Sequence, residues 1–218
     1  LEESTRKLGQ LNSALSVSNT RLEELTVTDE LTGLYNMRYM TRYLEAHFQM
    51  MARYSRPFSI MMLDLDHFKQ VNDRFDHLVG SATIRAAGKI IDNIFRKSDT
   101  KARYGGDEFI VALPETDVQG AKLVCERLRK AIEQTPMLAN DKFDFKITAS
   151  IGVCAFDPKR HKDFRDLIKE ADRAMYSAKA KGRNQVVALA GDSVEGYDES
   201  QSTVISEIKK IDKSKKTN

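Results

Sequence analysis

The chain has 218 residues, 41% of them hydrophobic and 31% charged, with a formal net charge of +3. That composition suits one globular domain with an appendage, and so small a charge excess gives no electrostatic case for a nucleic-acid polymer or a membrane surface as partner. No apolar run is long enough to span a bilayer, and Cys125 and Cys154 read as reduced core residues of a cytoplasmic protein, with no disulfide framework.

Leu1, Leu8, Leu15 and Leu22 recur every seven residues, with Leu11 and Leu25 at the complementary heptad positions. This spacing predicts a coiled-coil signalling helix over residues 1–27 that pairs two copies in parallel. Ser4 and Ser18 weaken the seam, and an amphipathic helix docked on its own domain is the alternative. The chain starts at Leu1 and not at methionine, so a fragment is expected, with an upstream sensory domain missing from it.

Val27-Thr28-Asp29-Glu30-Leu31-Thr32-Gly33-Leu34-Tyr35-Asn36 carries the polar and glycine residues that end one helix and cap the next, so a compact domain is expected over residues 28–190. Residues 37–54 have helical spacing, Arg56-Pro57 breaks it, and residues 58–63 read as a buried strand ending at Asp64-Leu65-Asp66. That strand delivers a carboxylate to its C-terminal end. Further helices are predicted near residues 68–73, 80–95, 118–134 and 164–181, and strands at 146–156 and 185–189. Strands alternate with helices, as in an α/β sandwich. Residues 191–218 are mostly polar, with a lysine-rich end at Lys209, Lys210, Lys213, Lys215 and Lys216, and are expected to form a flexible extension with a short helix near 204–211.

The middle of the chain holds the most informative string, Arg103-Tyr104-Gly105-Gly106-Asp107-Glu108-Phe109. Two glycines between apolar alternations predict a β-hairpin turn. Bare backbone at Gly105 and Gly106 lets a bulky anion approach closely, while Asp107 and Glu108 offer hard oxygen ligands to a divalent cation. An ordinary hairpin with a charged shoulder is the bland alternative.

With the other motifs in place, the chain resembles the GGDEF domain family, which makes cyclic dinucleotides from two nucleoside triphosphates. The resemblance rests on the 29–36 string, on Asp64-Leu65-Asp66-His67-Phe68-Lys69-Gln70-Val71-Asn72-Asp73, on the hairpin, on Ser150-Ile151-Gly152-Val153, and on Ala171-Asp172-Arg173-Ala174-Met175-Tyr176 leading to Lys179-Ala180-Lys181-Gly182-Arg183-Asn184. It implies an α/β fold like a nucleotidyl cyclase or polymerase palm, a central mainly antiparallel sheet flanked by helices. It also implies a bacterial cytoplasmic signalling enzyme that works as a homodimer set by the N-terminal helix. A catalytically inactive cyclic-dinucleotide receptor and a dimerisation scaffold are the alternatives, and the presence of every acid and phosphate-binding position argues against both.

By resemblance, Asp64, the Leu65 backbone, Asp107 and Glu108 hold two magnesium ions, or manganese in their place, and Asp107 assists deprotonation of the attacking hydroxyl. Lys179 and Arg183 lie four apart, so a helix continuing past residue 181 places them on one face as a clamp for the β- and γ-phosphates. Phe68 and Lys69 match positions near the phosphates, although Phe68 also suits a plain core. Asn72 matches the residue that reads the base edge, although an asparagine after a short helix is often a cap.

Two departures from the family pattern are informative. Asp76 stands where glycine is usual, and Ser81 stands where an aspartate reads guanine. A serine hydroxyl can donate or accept, so it removes much of the discrimination against adenine. In this respect the chain resembles the Hypr subgroup, hybrid promiscuous enzymes that use ATP and GTP and form 3′,3′-cyclic GMP-AMP. The alternative is a strict diguanylate cyclase in which Asn72 still selects GTP. Finally, Arg96-Lys97-Ser98-Asp99 has the spacing of the family's RxxD product-inhibition motif, and Arg127 matches a secondary arginine of that site. A surface ion pair is the competing reading of Arg96 and Asp99.

Overall fold

The computed structural model describes residues 27–54, 56–75, 77–137, 145–189 and Tyr197. The expected coiled-coil helix, apart from Val27, lies outside the described residues, as do Asp76 and all of the C-terminal extension except Tyr197.

The element order is β1 (Tyr35–Asn36), α1 (Met37–Tyr54), β2 (Phe58–Leu65), α2 (Phe68–Phe75), α3 (His77–Ile94), β3 (Thr100–Gly105), β4 (Glu108–Pro114), α4 (Val118–Gln134), β5 (Ala149–Ala155), α5 (Phe164–Ala180) and β6 (Val186–Ala188). These strands make one six-stranded sheet in the order β1-β3-β4-β2-β5-β6. The four central strands pair antiparallel, while β1 and β6 join the two edges in parallel. The sheet is therefore mixed, with the mainly antiparallel centre that the resemblance implies.

Alternation along the strands divides the core in two. Met61, Leu63 and Leu65 of β2 join Phe109, Val111 and Leu113 of β4 and the buried faces of α3 and α4. Ile60, Met62 and Ile110 face the other way, against Met40 and Leu44 of α1 and Leu167 and Ile168 of α5. The helices start where side chains can take up their orphan N–H groups: Asn36 Oδ1 accepts from the N–H of Tyr39 at 3.0 Å, Asp117 Oδ1 accepts from that of Gly120 at 2.8 Å, and Asp163 opens α5 with a capping box completed by Asp166.

One glycine sets the depth of α5. A Cβ at Gly152 would lie 2.1 Å from the Ala171 carbonyl and 2.2 Å from the Met175 nitrogen, so helix and strand touch backbone to backbone. This close seat brings the C-terminal end of α5 to the end of β2. Tyr197 rests on the outer side of the same helix, its hydroxyl donating to Asp172 Oδ2 at 2.5 Å and its ring edge-on to Tyr176.

Some boundaries differ from the sequence expectation. The two-residue β1 falls in what reads as capping sequence, because two residues are too few to show alternation. α3 starts at His77 and runs through Gly80, where the predicted helix begins. β5 starts at Ala149, since Thr148 turns its carbonyl and hydroxyl to Asp66 beyond the end of β2.

Candidate active site

The end of β2 and the β3–β4 hairpin bring the predicted acids together. Asp64 is the cross-strand partner of Glu108 on β4 and of Ser150 on β5. The hairpin carries a bulge between Arg103 and Gly105 and turns through Gly106, whose φ of 52° favours glycine. A side chain at Gly105 or Gly106 would meet nothing within 4 Å, so the turn faces open space.

Arg103 holds this turn in shape. Its Nε and Nη2 donate to the Gly106 carbonyl at 3.0 and 2.7 Å, and its Nη1 pairs with Asp29 Oδ2 at 3.1 Å. Asp29 Oδ1 also accepts from the backbone N–H and the hydroxyl of Thr32 at 2.9 and 2.7 Å. The segment leading into the domain is thereby clipped to the hairpin.

The acids sit in an electrostatically unfavourable arrangement. Burial pushes Glu108 up to about 8, with Asp64 adding repulsion and Lys179 opposing it. Burial likewise raises Asp64 to about 6, against the attraction of Lys179, whose Nζ lies 2.7 Å from Asp64 Oδ2. Asp107 is also raised, chiefly by burial. Three carboxyls thus share one close ammonium. An all-oxygen donor set short of positive charge suits a hard divalent cation.

The pair expected to clamp phosphates, Lys179 and Arg183, departs from the expected geometry. α5 ends at Ala180, so Lys179 and Arg183 do not share a helical face. The helix closes instead when the Arg183 N–H bonds the Ala178 carbonyl at 3.0 Å, after Gly182 at φ 107°. Arg183 and Asn184 follow at φ 63° and 46°, a conformation costing about 1–3 kcal/mol for a residue such as arginine. Arg183 lies on an exposed turn, one residue before the anchored Asn184.

Asp66 is a positioning group that sequence reasoning missed. It is buried and accepts from the Ser150 hydroxyl at 2.7 Å, the Thr148 hydroxyl at 2.7 Å and the Asn184 N–H at 3.0 Å. The available signal was its spacing, two residues past Asp64 at a strand end. Arg103 and Asp29 were likewise visible only as motif letters, because their pairing spans 74 positions.

Of the other residues expected to meet the nucleotide, Phe68 is a buried core residue, Lys69 is exposed, and Asn72 and Ser81 are half-buried. α2 and α3 meet at Gly80, where a Cβ would lie 1.9 Å from Asn72 Oδ1 and 3.2 Å from Phe68 Cζ. The Asn72 amide therefore lies on the backbone one residue from Ser81, and the two predicted base-reading positions are neighbours.

Arg96, Asp99 and Arg127 line one cleft of about 520 Å³ at the opposite end of β2. Asp99 Oδ2 accepts from the backbone N–H of Arg96 at 2.8 Å, closing a tight local turn. Asp99 is buried and both arginines are exposed beside it.

A third cluster, Cys154, His161 and Glu170, has ligand-type atoms within 4.8 Å of one another. The Asp157 N–H donates to His161 Nδ1 at 3.0 Å, so in the neutral ring Nε2 carries the hydrogen and donates to Glu170 Oε2 at 2.9 Å. Arg160 grips the same carboxylate. Burial raises Glu170, yet the bonds from His161 and Arg160 overcome it and bring Glu170 down to about 2. This donor-filled cluster ties the 155–161 loop to α5 and does not suit a metal.

Known proteins are similar to this chain in sequence and fold. Diguanylate cyclase A of Treponema denticola is 35% identical over 177 residues, covering 80% of this chain and 47% of that protein. The response regulator PleD of Caulobacter vibrioides is 38% identical over 168 residues, covering 77% and 37%. The chain thus spans less than half the length of these two curated relatives. The crystal structure of the GGDEF domain of DgcB from Caulobacter crescentus, in complex with c-di-GMP, superposes with a TM-score of 0.70 at 28% identity, covering 75% of this chain and 95% of that one. The family model for the diguanylate cyclase GGDEF domain matches residues 26–185, and the chain belongs to that family.

Proposed function

We propose that this domain condenses two nucleoside triphosphates into a 3′,3′-cyclic dinucleotide with release of pyrophosphate, each of two copies presenting one bound nucleotide to the other. The carrying observation is the convergence of Asp64, Asp107, Glu108 and Lys179 where β2 meets the hairpin. Asp64, Asp107, Glu108 and the Leu65 backbone would hold magnesium or manganese, and the donor chemistry fits. Such ions, when bound, supply Lewis-acid activation of a ribose 3′-hydroxyl and neutralise charge developing on the α-phosphate.

The chain's own residues do the rest. Lys179 and Arg183 grip the β- and γ-phosphates and orient the α-phosphate for in-line attack. Asp107, at the turn, takes the proton of the attacking hydroxyl. Gly105 and Gly106 leave room for the triphosphate beside the backbone. Asn72 and Ser81 meet the base edge, and because a serine hydroxyl both donates and accepts, the pocket admits adenine as well as guanine. On this reading the domain is of the Hypr type and makes cyclic GMP-AMP together with cyclic di-GMP. A strict diguanylate cyclase is the second reading, favoured by the names of the relatives and by the retained Asn72. The cleft of Arg96, Asp99 and Arg127 receives the cyclic dinucleotide product and mediates feedback inhibition.

The decisive experiment supplies the purified chain with magnesium and GTP, ATP or an equal mixture, and resolves the products by mass spectrometry. Cyclic GMP-AMP from the mixture is expected; exclusive cyclic di-GMP would establish the strict cyclase instead.

A further inference from the structure

The turn that carries Arg183 is held by side chains that neither the acids nor the base pocket require. After Ala180 the backbone passes through Gly182, Arg183 and Asn184, all at positive φ, before joining β6. An arginine has no intrinsic preference for that region, so its conformation must be imposed by its surroundings. Asn184 supplies the restraint in three directions. Its backbone N–H donates to Asp66 Oδ2 at 3.0 Å, its Nδ2 donates to Glu133 Oε1 at 2.7 Å, and its Oδ1 accepts from Arg129 Nη1 at 2.8 Å.

Both anchors are themselves fixed. Asp66 is secured by Ser150 and Thr148, and Arg129 is tied along α4 to Glu126 at 2.9 Å and to Glu133 at 3.0 Å. Asp66 also follows Asp64 by two residues, and Asp64 holds Lys179. The end of β2 is therefore a common datum for both cations, through Asp64 for Lys179 and through Asp66 and Asn184 for Arg183.

We infer that Asn184, latched by Arg129 and Glu133 of α4, is a positioning residue that presents Arg183 to the triphosphate. The inference rests on the proposed role of Arg183 as a phosphate ligand. Losing the latch frees the turn, and the arginine then spends less of its time in the gripping pose.

A double-mutant cycle on the 218-residue chain with magnesium and GTP tests this. Arg183→Ala is expected to raise KM for GTP about tenfold, the loss of one charge-assisted contact. Asn184→Ala should raise it nearly as much with a smaller change in kcat, and the double variant should be no worse than Arg183→Ala alone. Asn184→Gly keeps both the N–H to Asp66 and the ease of positive φ, so it is the variant of choice should the alanine change unfold the chain; it should match Asn184→Ala. Parent-like KM in Asn184→Gly, or an additive double variant, overturns the latch while leaving the phosphate role intact. An unchanged KM in Arg183→Ala overturns the phosphate role and the latch together.

Discussion

The two ends of β2 hold acidic groups in opposite ways. At its C-terminal end Glu108 is buried, with Asp64 and Asp107 half-buried beside it, every one displaced upward from the ordinary carboxylate range, with Lys179 as the close counter-charge. At the other end, roughly 25 Å away along eight extended residues, Asp99 is buried but already bonded to the Arg96 N–H, and its cleft exposes the positive charge of Arg96 and Arg127. The first end has more carboxyl groups than close cations; the second has its one acid already bonded and two arginines exposed beside it. On the proposed function, the first end takes metal with triphosphate and the second, separately, takes the phosphodiester product.

The sharpest way to break this contrast is to remove one acid from the first end. Glu108→Ala is expected to lower turnover on the order of a thousandfold, by stripping a metal ligand, while cyclic di-GMP binding at the other end persists by calorimetry. Near-parent turnover would remove Glu108 from the metal site. At the second end, Arg96→Ala should raise the cyclic di-GMP concentration needed for half-inhibition by about tenfold to a hundredfold, whereas an unchanged value would return Arg96 to the role of a solvated side chain. Smaller still, Ser81→Asp should shift the product ratio towards cyclic di-GMP by about tenfold, because an acceptor-only carboxylate pairs with guanine's N1–H and amino donors together. An unchanged ratio would move selectivity elsewhere.

The smallest effect is one of pH. A carboxyl with a raised folded pKa favours the native state most below its unfolded value, near 4, and loses that contribution as pH rises through the folded value. For Asp64 and Glu108, at about 6 and about 8, the metal-free protein should therefore lose thermal stability between pH 5 and 9 by a few degrees. Magnesium binds the deprotonated acids, so its stabilising shift in Tm should grow over the same interval. A magnesium shift equal at pH 6 and pH 8 would contradict this electrostatic account.

Much of the site was legible because its chemistry is local. Gly105, Gly106, Asp107 and Glu108 announce a turn and its acids within four letters, and a buried apolar run ending in Asp64 announces a carboxylate at a strand end. What stayed hidden is long-range or backbone-borne. The partners of Asp66 lie 82, 84 and 118 positions away, and Arg103 meets Asp29 across 74. Arg183 was expected on a helical face because spacing of four suggests one; no composition signal reveals that the helix stops at Ala180 and that two left-handed residues follow. The fold was legible for a similar reason. β2, β4 and β5 are continuous apolar runs buried on both faces, which stand out in the sequence, whereas β1 was too short to carry any pattern.

The contact between Gly80 and Asn72 bears on how this pocket changes over generations. With room for no side chain at 80 while Asn72 keeps its pose, and with Phe68 closing the approach behind it, position 80 is closed to change, and on the proposed function a change of base preference falls to the neighbouring position. Ser81 is half-buried on the helix just beyond that overlap, and on the proposed function an exchange of hydroxyl for carboxylate there changes the messenger while Gly80 keeps the helix pair as it is.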